Sequence, residues 1–156
     1  MILERQATKR KLDLGSGGKA DDAFLSFDVT TVLKPQVQGD GRCLPFKGGA
    51  FDEVRAWHVL EHIPREYLVE TMNECWRVLA EGGQLDVEVP IFPSDDAMAD
   101  PTHVSFFVQR TFEYFVKGSQ YEEHRLLYGI RPWECVMQGR AGMNSLLKLV
   151  LRKVAE

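Results

Sequence analysis

Gly15 and Gly17 follow the apolar run KLDL, a spacing at which a strand can end in a tight turn whose backbone comes close to a ligand. Eleven residues beyond Gly17, at the end of FLSFD, stands Asp28, a carboxylate able to accept from both hydroxyls of a ribose. With Ala20 the glycines also satisfy the loose pattern G-x-G-x-x-A of dinucleotide folds. A diphosphate, however, needs the amides and positive end of a full helix starting at the turn. Only GKADDA separates Gly17 from the next run, room for about one or two helical turns, and Asp21 and Asp22 within it would repel an anion. The pattern therefore predicts a nucleoside-type ligand that carries no phosphate.

Further along, Asp40 lies in the glycine-flanked turn GDGR, where its carboxylate could accept from an exocyclic amine while neighbouring amides meet ring nitrogens. Leu44, Pro45 and Phe46 follow, to bury the edge of a base or to plug the core. Trp57 and His58 end a candidate strand, the edge at which open parallel sheets bind ligands. An aromatic face there could stabilise a cation by about 0.5–2 kcal/mol. S-adenosylmethionine, with a ribose, an adenine, an amino acid end and a sulfonium, fits this set. Glu61 and His62 come next, and a metal site built from His58, Glu61 and His62 is conceivable from the i, i+4 spacing. One such pair lacks further ligands, so no metal is expected. His103, in DPTHVSFF, is a candidate acid or base on the acceptor side, and the aromatics Phe106, Phe107, Phe112, Tyr114 and Phe115 around it favour core or an apolar pocket.

These residues need a sheet to hold them. The runs at 10–14, 24–29, 51–57 and 84–90 are short, apolar or alternating, and bounded by Gly, Pro or Asp, as strands are. Between the last two, Pro64 opens a predicted helix of about five turns, with Leu68, Met72, Cys75, Trp76 and Leu79 at three- and four-residue spacing and Gly82 and Gly83 closing it. Strand, helix and strand make a parallel crossover. Residues 91–108 read as a long functional loop, followed by a short amphipathic helix near 111–117. The tail, PWECVMQGR and SLLKLVLRKV about an AGMN turn, reads as an antiparallel hairpin ending the sheet.

At 156 residues one domain over 1–156 is expected, with 44% hydrophobic and 27% charged residues, as in ordinary globular proteins. The net charge of −4, with only Lys9, Arg10 and Lys11 clustered, does not recommend nucleic acid as a partner. Cys43, Cys75 and Cys135 are too far apart for a disulfide framework or a CxxC site. Neither a signal peptide nor a membrane-length apolar run is read, so the expected location is cytoplasmic.

Taken in order, D-L-G-S-G, a strand-end acid, D-x-x-x-L-P-F, F-D-x-V, V-L-E-H-I and R-V-L-x-x-G-G resemble the class I S-adenosylmethionine-dependent methyltransferases, in particular the short type 11 branch, over residues 10 to about 116. Lys19 stands where that family commonly has a third glycine. The resemblance implies that Asp13, Gly15, Ser16 and Gly17 surround the methionine portion and that Asp28 holds the ribose. It implies that Asp40, Gly41 and Arg42 meet the adenine, that Trp57 and His58 flank the sulfonium, and that His103 and His58 are the catalytic candidates. The expected fold is α/β, a doubly wound, mostly parallel seven-stranded sheet with a C-terminal antiparallel hairpin and a shortened first helix. The expected activity is methyl transfer to an oxygen or nitrogen of a small-molecule acceptor, giving S-adenosylhomocysteine, with no nucleic-acid or membrane partner and the oligomeric state open. Two alternatives stand beside it: a catalytically silent S-adenosylmethionine-binding sensor or partner subunit, and an NAD-dependent oxidoreductase.

Overall fold

A computed structural model describes residues 10–18 and 21–156. Ala20 and Lys19, invoked in the glycine motif, and Lys9 of the basic cluster lie outside the described residues. In KLDL, LSFD, FDEVRAW, QLDVEVP and LLKLVLRK every second side chain is apolar, so each strand can bury one face and leave the other polar. These segments form β1 (Lys11–Leu14), β2 (Leu25–Asp28), β4 (Phe51–Trp57), most of β5 (Leu79–Pro90) and β7 (Leu146–Lys153), joined by a short β3 (Val37–Gln38) and by β6 (Trp133–Ala141). The sheet order is β3-β2-β1-β4-β5-β7-β6. The first five strands are parallel and the last two run antiparallel. The direction of winding reverses at β1 and β4, which creates a crevice outside their carboxyl ends.

Register lines up the two faces. Leu12, Leu14, Val54, Ala56, Leu85, Val87, Val89, Leu147, Leu149 and Leu151 share a single core with Leu68, Met72, Cys75 and Val78 of helix α1 (Leu68–Val78) and with Phe107, Phe112 and Phe115. The other face carries Lys11, Asp13, Glu53, Arg55, Trp57, Asp86, Glu88, Lys148 and Arg152, held in cross-strand pairs such as Lys11–Glu53 (2.8 Å), Arg55–Asp13 (2.7 Å) and Lys148–Glu88 (2.5 Å). Charge pairing across strands keeps that face compatible with water.

Several expectations are corrected. The helix predicted to run from Pro64 through Leu79 is shorter: Arg65–Tyr67 form a 3₁₀ turn, α1 spans 11 residues, and Leu79 is already extended (φ −74°, ψ 140°). Leu79 mimics helical periodicity because it is fully buried, yet it pairs with Phe51 as a strand residue before a register irregularity in the β4–β5 ladder. The segment near 111–117 is a 3₁₀ helix, Gln109–Phe115. The loop 91–108 includes a one-turn helix α2 (Asp95–Met98) whose first turn is capped by Ser94, and a bridge pairs Ile91 with Phe107. Beyond it, α3 (Glu122–Leu127) precedes β6. The antiparallel hairpin ends the sheet as expected, with β7 inside it and Leu147, Leu149 and Leu151 fully buried.

Candidate functional site

The glycine turn closes on itself. The amides of Gly15 and Ser16 both donate to the carbonyl of Phe27 at the end of β2, at 2.9 and 3.1 Å. Gly15 has φ +66°, and a Cβ there would stand 2.3 Å from Cγ2 of Val59, so the position needs glycine on two counts. Gly17 also has positive φ, and space is open where its Cβ would be. Its amide donates to Oδ2 of Asp28 at 3.0 Å, and the amide of Thr30 donates to Oδ1 at 3.0 Å. Each carboxylate oxygen keeps a further lone pair for an incoming donor. Asp28 is buried. Residues 21–24, described between the turn and β2, contain no helix.

Asp13 is committed elsewhere than expected. On β1 it faces Arg55 of β4, which donates to it through Nε (3.1 Å) and Nη2 (2.7 Å) and reaches Asp21 through Nη1 (3.0 Å). The Asp13 carboxylate, and after burial Asp21, raises the Arg55 pKa. The guanidinium lies 3.9 Å from the Phe24 ring centre and 4.8 Å from that of Trp57. Lys148 approaches the same Trp57 ring at 5.2 Å. The π faces of Trp57, proposed for a sulfonium, are thus met by two of the protein's own cations.

Asp40 and Arg42 form one closed unit at the end of β3. The carboxylate accepts from the Arg42 amide (2.8 Å), from Nε (2.9 Å) and from Nη2 (2.6 Å), while the guanidinium stacks over Tyr67 at 4.3 Å. Arg42 hydrogen bonding holds the Asp40 carboxyl below its ordinary range. Gly41 sits between them, so the three residues expected around an adenine are together, with the acid half exposed. Leu44 is core, and Phe46 packs edge-on against Phe27 and Phe51.

That loop is pinned to α1 by Glu74 and Arg77, which sequence reasoning did not single out. Glu74 accepts from the Leu44 amide (2.8 Å) and from Arg77 through both oxygens (2.7 Å each). Arg77 donates to the carbonyls of Phe46 (2.8 Å) and Leu44 (2.9 Å). Two charged side chains one helical turn apart thus replace the ladder that this irregular backbone lacks. Glu74→Ala is expected to cost about 1–3 kcal/mol by stranding the Leu44 amide and loosening Arg77, read as a lower midpoint in thermal unfolding. An unchanged midpoint would show that the loop holds itself. Arg77 keeps the Glu74 carboxyl below its ordinary value. The stabilisation this gives is therefore present above the ordinary Glu range, about 4.3, and lost as pH falls below it.

At the carboxyl end of β4, His58 adopts φ +55° and turns its ring toward Glu88 of β5, to which Nε2 donates at 2.7 Å. Nδ1 lies 3.5 Å from Oε1 of Glu61. Glu61 first, then Glu88, raises the His58 pKa and favours the imidazolium, against the opposing effect of burial. The His58 side chain is 48% exposed. His103 is different: its side chain is 9% exposed, Nδ1 donates to the carbonyl of Ala97 at 3.0 Å, and its ring meets that of His62 at 4.8 Å. The loop bearing it is sewn to the turn after β4. Amides of Val104 and Ser105 donate to the carbonyl of Glu61, Ser105 Oγ donates to that of Ile63 (2.6 Å), and Arg65 donates to that of Phe106 (2.8 Å).

Residues 19–87 match a type 11 family model described as a methyltransferase domain. The chain has the fold of the class I methyltransferases. The match and the fold agree with the methyl transfer and the S-adenosylmethionine cofactor expected from the resemblance. The chain is 18% identical to an S-adenosylmethionine-dependent methyltransferase from Archaeoglobus fulgidus, over 97% of this chain and 91% of that one, with a TM-score of 0.61. It is 15% identical to the 1,6-didemethyltoxoflavin-N1-methyltransferase of Burkholderia thailandensis, over 93% and 71% of the two chains, with a TM-score of 0.59. The [4+2]-cyclase SpnF shares the fold as well, at 16% identity over 99% and 81% of the chains and a TM-score of 0.63. No curated protein sequence matches the chain. Among the described residues no helix is long and apolar enough to cross a membrane.

Proposed function

We propose that the protein transfers a methyl group from S-adenosylmethionine to an oxygen or nitrogen of a small-molecule acceptor, releasing S-adenosylhomocysteine. The observation that carries the binding half is the closure of the glycine turn by Asp28 at the strand reversal. A buried carboxylate there has lone pairs to spare for ribose hydroxyls. The described residues behind the turn supply no helix for a diphosphate, which tells against NAD. Asp40, Gly41 and Arg42 form the adenine end, and Gly15, Ser16 and Gly17 the methionine end. Asp13 acts on that end through Arg55, which it holds in place.

Methyl transfer is an in-line displacement at carbon, so the protein's main contribution is alignment, worth up to about 7–11 kcal/mol. Of the two catalytic candidates, His58 has the accessible ring. Its raised pKa suits it to hold a negative acceptor oxygen, whereas abstracting a proton requires the neutral form first. His103 walls the acceptor side from the loop. The small-molecule acceptor is supported by the aromatic lining Phe92 and Phe106, both partly exposed beside that loop.

The test pairs binding with turnover. S-adenosylhomocysteine at 100 times its dissociation constant should add about 2.7 kcal/mol to thermal stability, and NAD should add none. Asp28→Ala should weaken S-adenosylhomocysteine binding by roughly 1.5–3 kcal/mol, tenfold or more, because each bond to a charged acceptor is lost. Stabilisation by NAD alone would overturn the proposal. The occurrence of a cyclase on this fold makes turnover the second arm: cofactor binding without S-adenosylhomocysteine formation across an acceptor panel would favour a silent sensor or partner subunit.

A further inference from the structure

Glu61 poses a problem that the cofactor pocket does not solve. It is 1% exposed, and neither carboxylate oxygen has a hydrogen-bond partner. A buried carboxylate without hydrogen bonds is a position that a cation stabilises. The one ion-pair contact of Glu61 among the described residues is with His58 Nδ1 at 3.5 Å, a ring that is shared with Glu88 through Nε2. Glu61 instead shares its surroundings with His62, next in the same 3₁₀ turn, and with His103 from the loop; one donor atom from each lies within 4.8 Å of the others.

The two rings are set as metal-binding imidazoles are. Thr102 Oγ1 gives its only proton to Asp100 Oδ1 at 2.6 Å, so in its contact with His62 Nδ1 at 3.1 Å the ring must donate. His103 Nδ1 donates to the Ala97 carbonyl at 3.0 Å, since a carbonyl can only accept. Both tautomers, assigned from this network, leave Nε2 with a lone pair, and both rings are fixed by outer hydrogen bonds of the kind that orient metal ligands. Asp100 Oδ2, 3.7 Å from His103 Nε2, stands at the rim. His62 is exposed, which leaves a path for an ion to enter.

We infer that Glu61, His62 and His103 form a binding site for a divalent transition-metal ion of the zinc class, separate from the cofactor pocket. Two imidazoles and one carboxylate match the donor set of open zinc sites, in which a further coordination position stays available to water or to a hydroxyl of a bound molecule. The inference goes beyond methyl transfer and stands or falls apart from it.

The experiment titrates chelator-treated protein with Zn²⁺ alone by calorimetry, with Co²⁺ as a visible-absorption reporter. One ion per chain should bind the unaltered protein. His62→Asn and His103→Asn should each weaken binding by roughly 10–100-fold, the loss that outer partners alone can cause. Glu61→Gln should abolish the rise in melting temperature that Zn²⁺ produces in the unaltered protein. If His103→Asn does not fold, the exposed His62→Asn decides. No Zn²⁺ binding by the unaltered protein, or equal affinity in all three variants, overturns the inference. S-adenosylhomocysteine affinity, measured in parallel, reports separately on the cofactor site.

Discussion

Gly15→Ala is expected to lower the melting temperature by on the order of 10 °C and to abolish detectable S-adenosylhomocysteine binding. Two costs combine. An alanine at φ +66° carries a left-handed penalty of about 1–2 kcal/mol. Its Cβ, 2.3 Å from Cγ2 of Val59, forces the β1 turn and the segment after β4 apart, which adds about 1–3 kcal/mol of overpacking. Each kcal/mol shifts the midpoint by about 2–4 °C in a domain of this size. The two costs separate experimentally. Adding Val59→Ala should recover the steric share and leave the backbone share. A single variant that melts with the unaltered protein would show that the turn is laxer than its contacts imply. The binding loss follows because the same displacement moves Gly17 off Asp28, whose carboxylate then faces the crevice in another orientation.

Arg55→Met should destabilise by about 3–5 kcal/mol, since it leaves Asp13 without a counter-charge on a central strand. Asp13 is buried, both its oxygens accept from Arg55, and no other hydrogen bond to it is seen among the described residues. Methionine keeps the apolar stem against Phe24 and Trp57, so the loss reports on charge rather than on packing. The double variant Arg55→Met with Asp13→Asn should regain most of the stability, because removing a whole buried pair costs far less than breaking it. Urea unfolding of the four proteins in the cycle measures the coupling. A coupling near zero would mean that water or Asp21 compensates, and the pair would then be incidental.

The candidate site was partly legible in the sequence. Gly15, Gly17 and Asp28 were readable because turn chemistry is local: two glycines after a strand and an acid at the end of the next define the crevice whatever lies around them. Asp40 with Arg42 was readable for the same reason, two residues apart in one turn. Arg55 and Glu74 were not. Each draws its role from a partner brought by another element: Asp13 lies 42 positions from Arg55, and Leu44 lies 30 from Glu74. A metal grouping of His58, Glu61 and His62 was considered on helical spacing, but the segment is a 3₁₀ turn after a residue at positive φ. His58 turns to Glu88 and His103 takes the place beside His62.

By itself the sequence determined the α/β class, the strands and the hairpin, because periodicity of two and glycine punctuation act within a few residues of the chain. The tertiary structure decided where α1 ends, which strand lies beside which, and which charges meet. Leu79 has equal apolar value in a helix and in a strand, and only its pairing with Phe51 resolves the choice. An ion pair across two strands, or a carboxylate stranded among histidines from separate loops, has no signature along the chain. It exists only where folding brings distant residues within a few ångströms, where electrostatic energy is large.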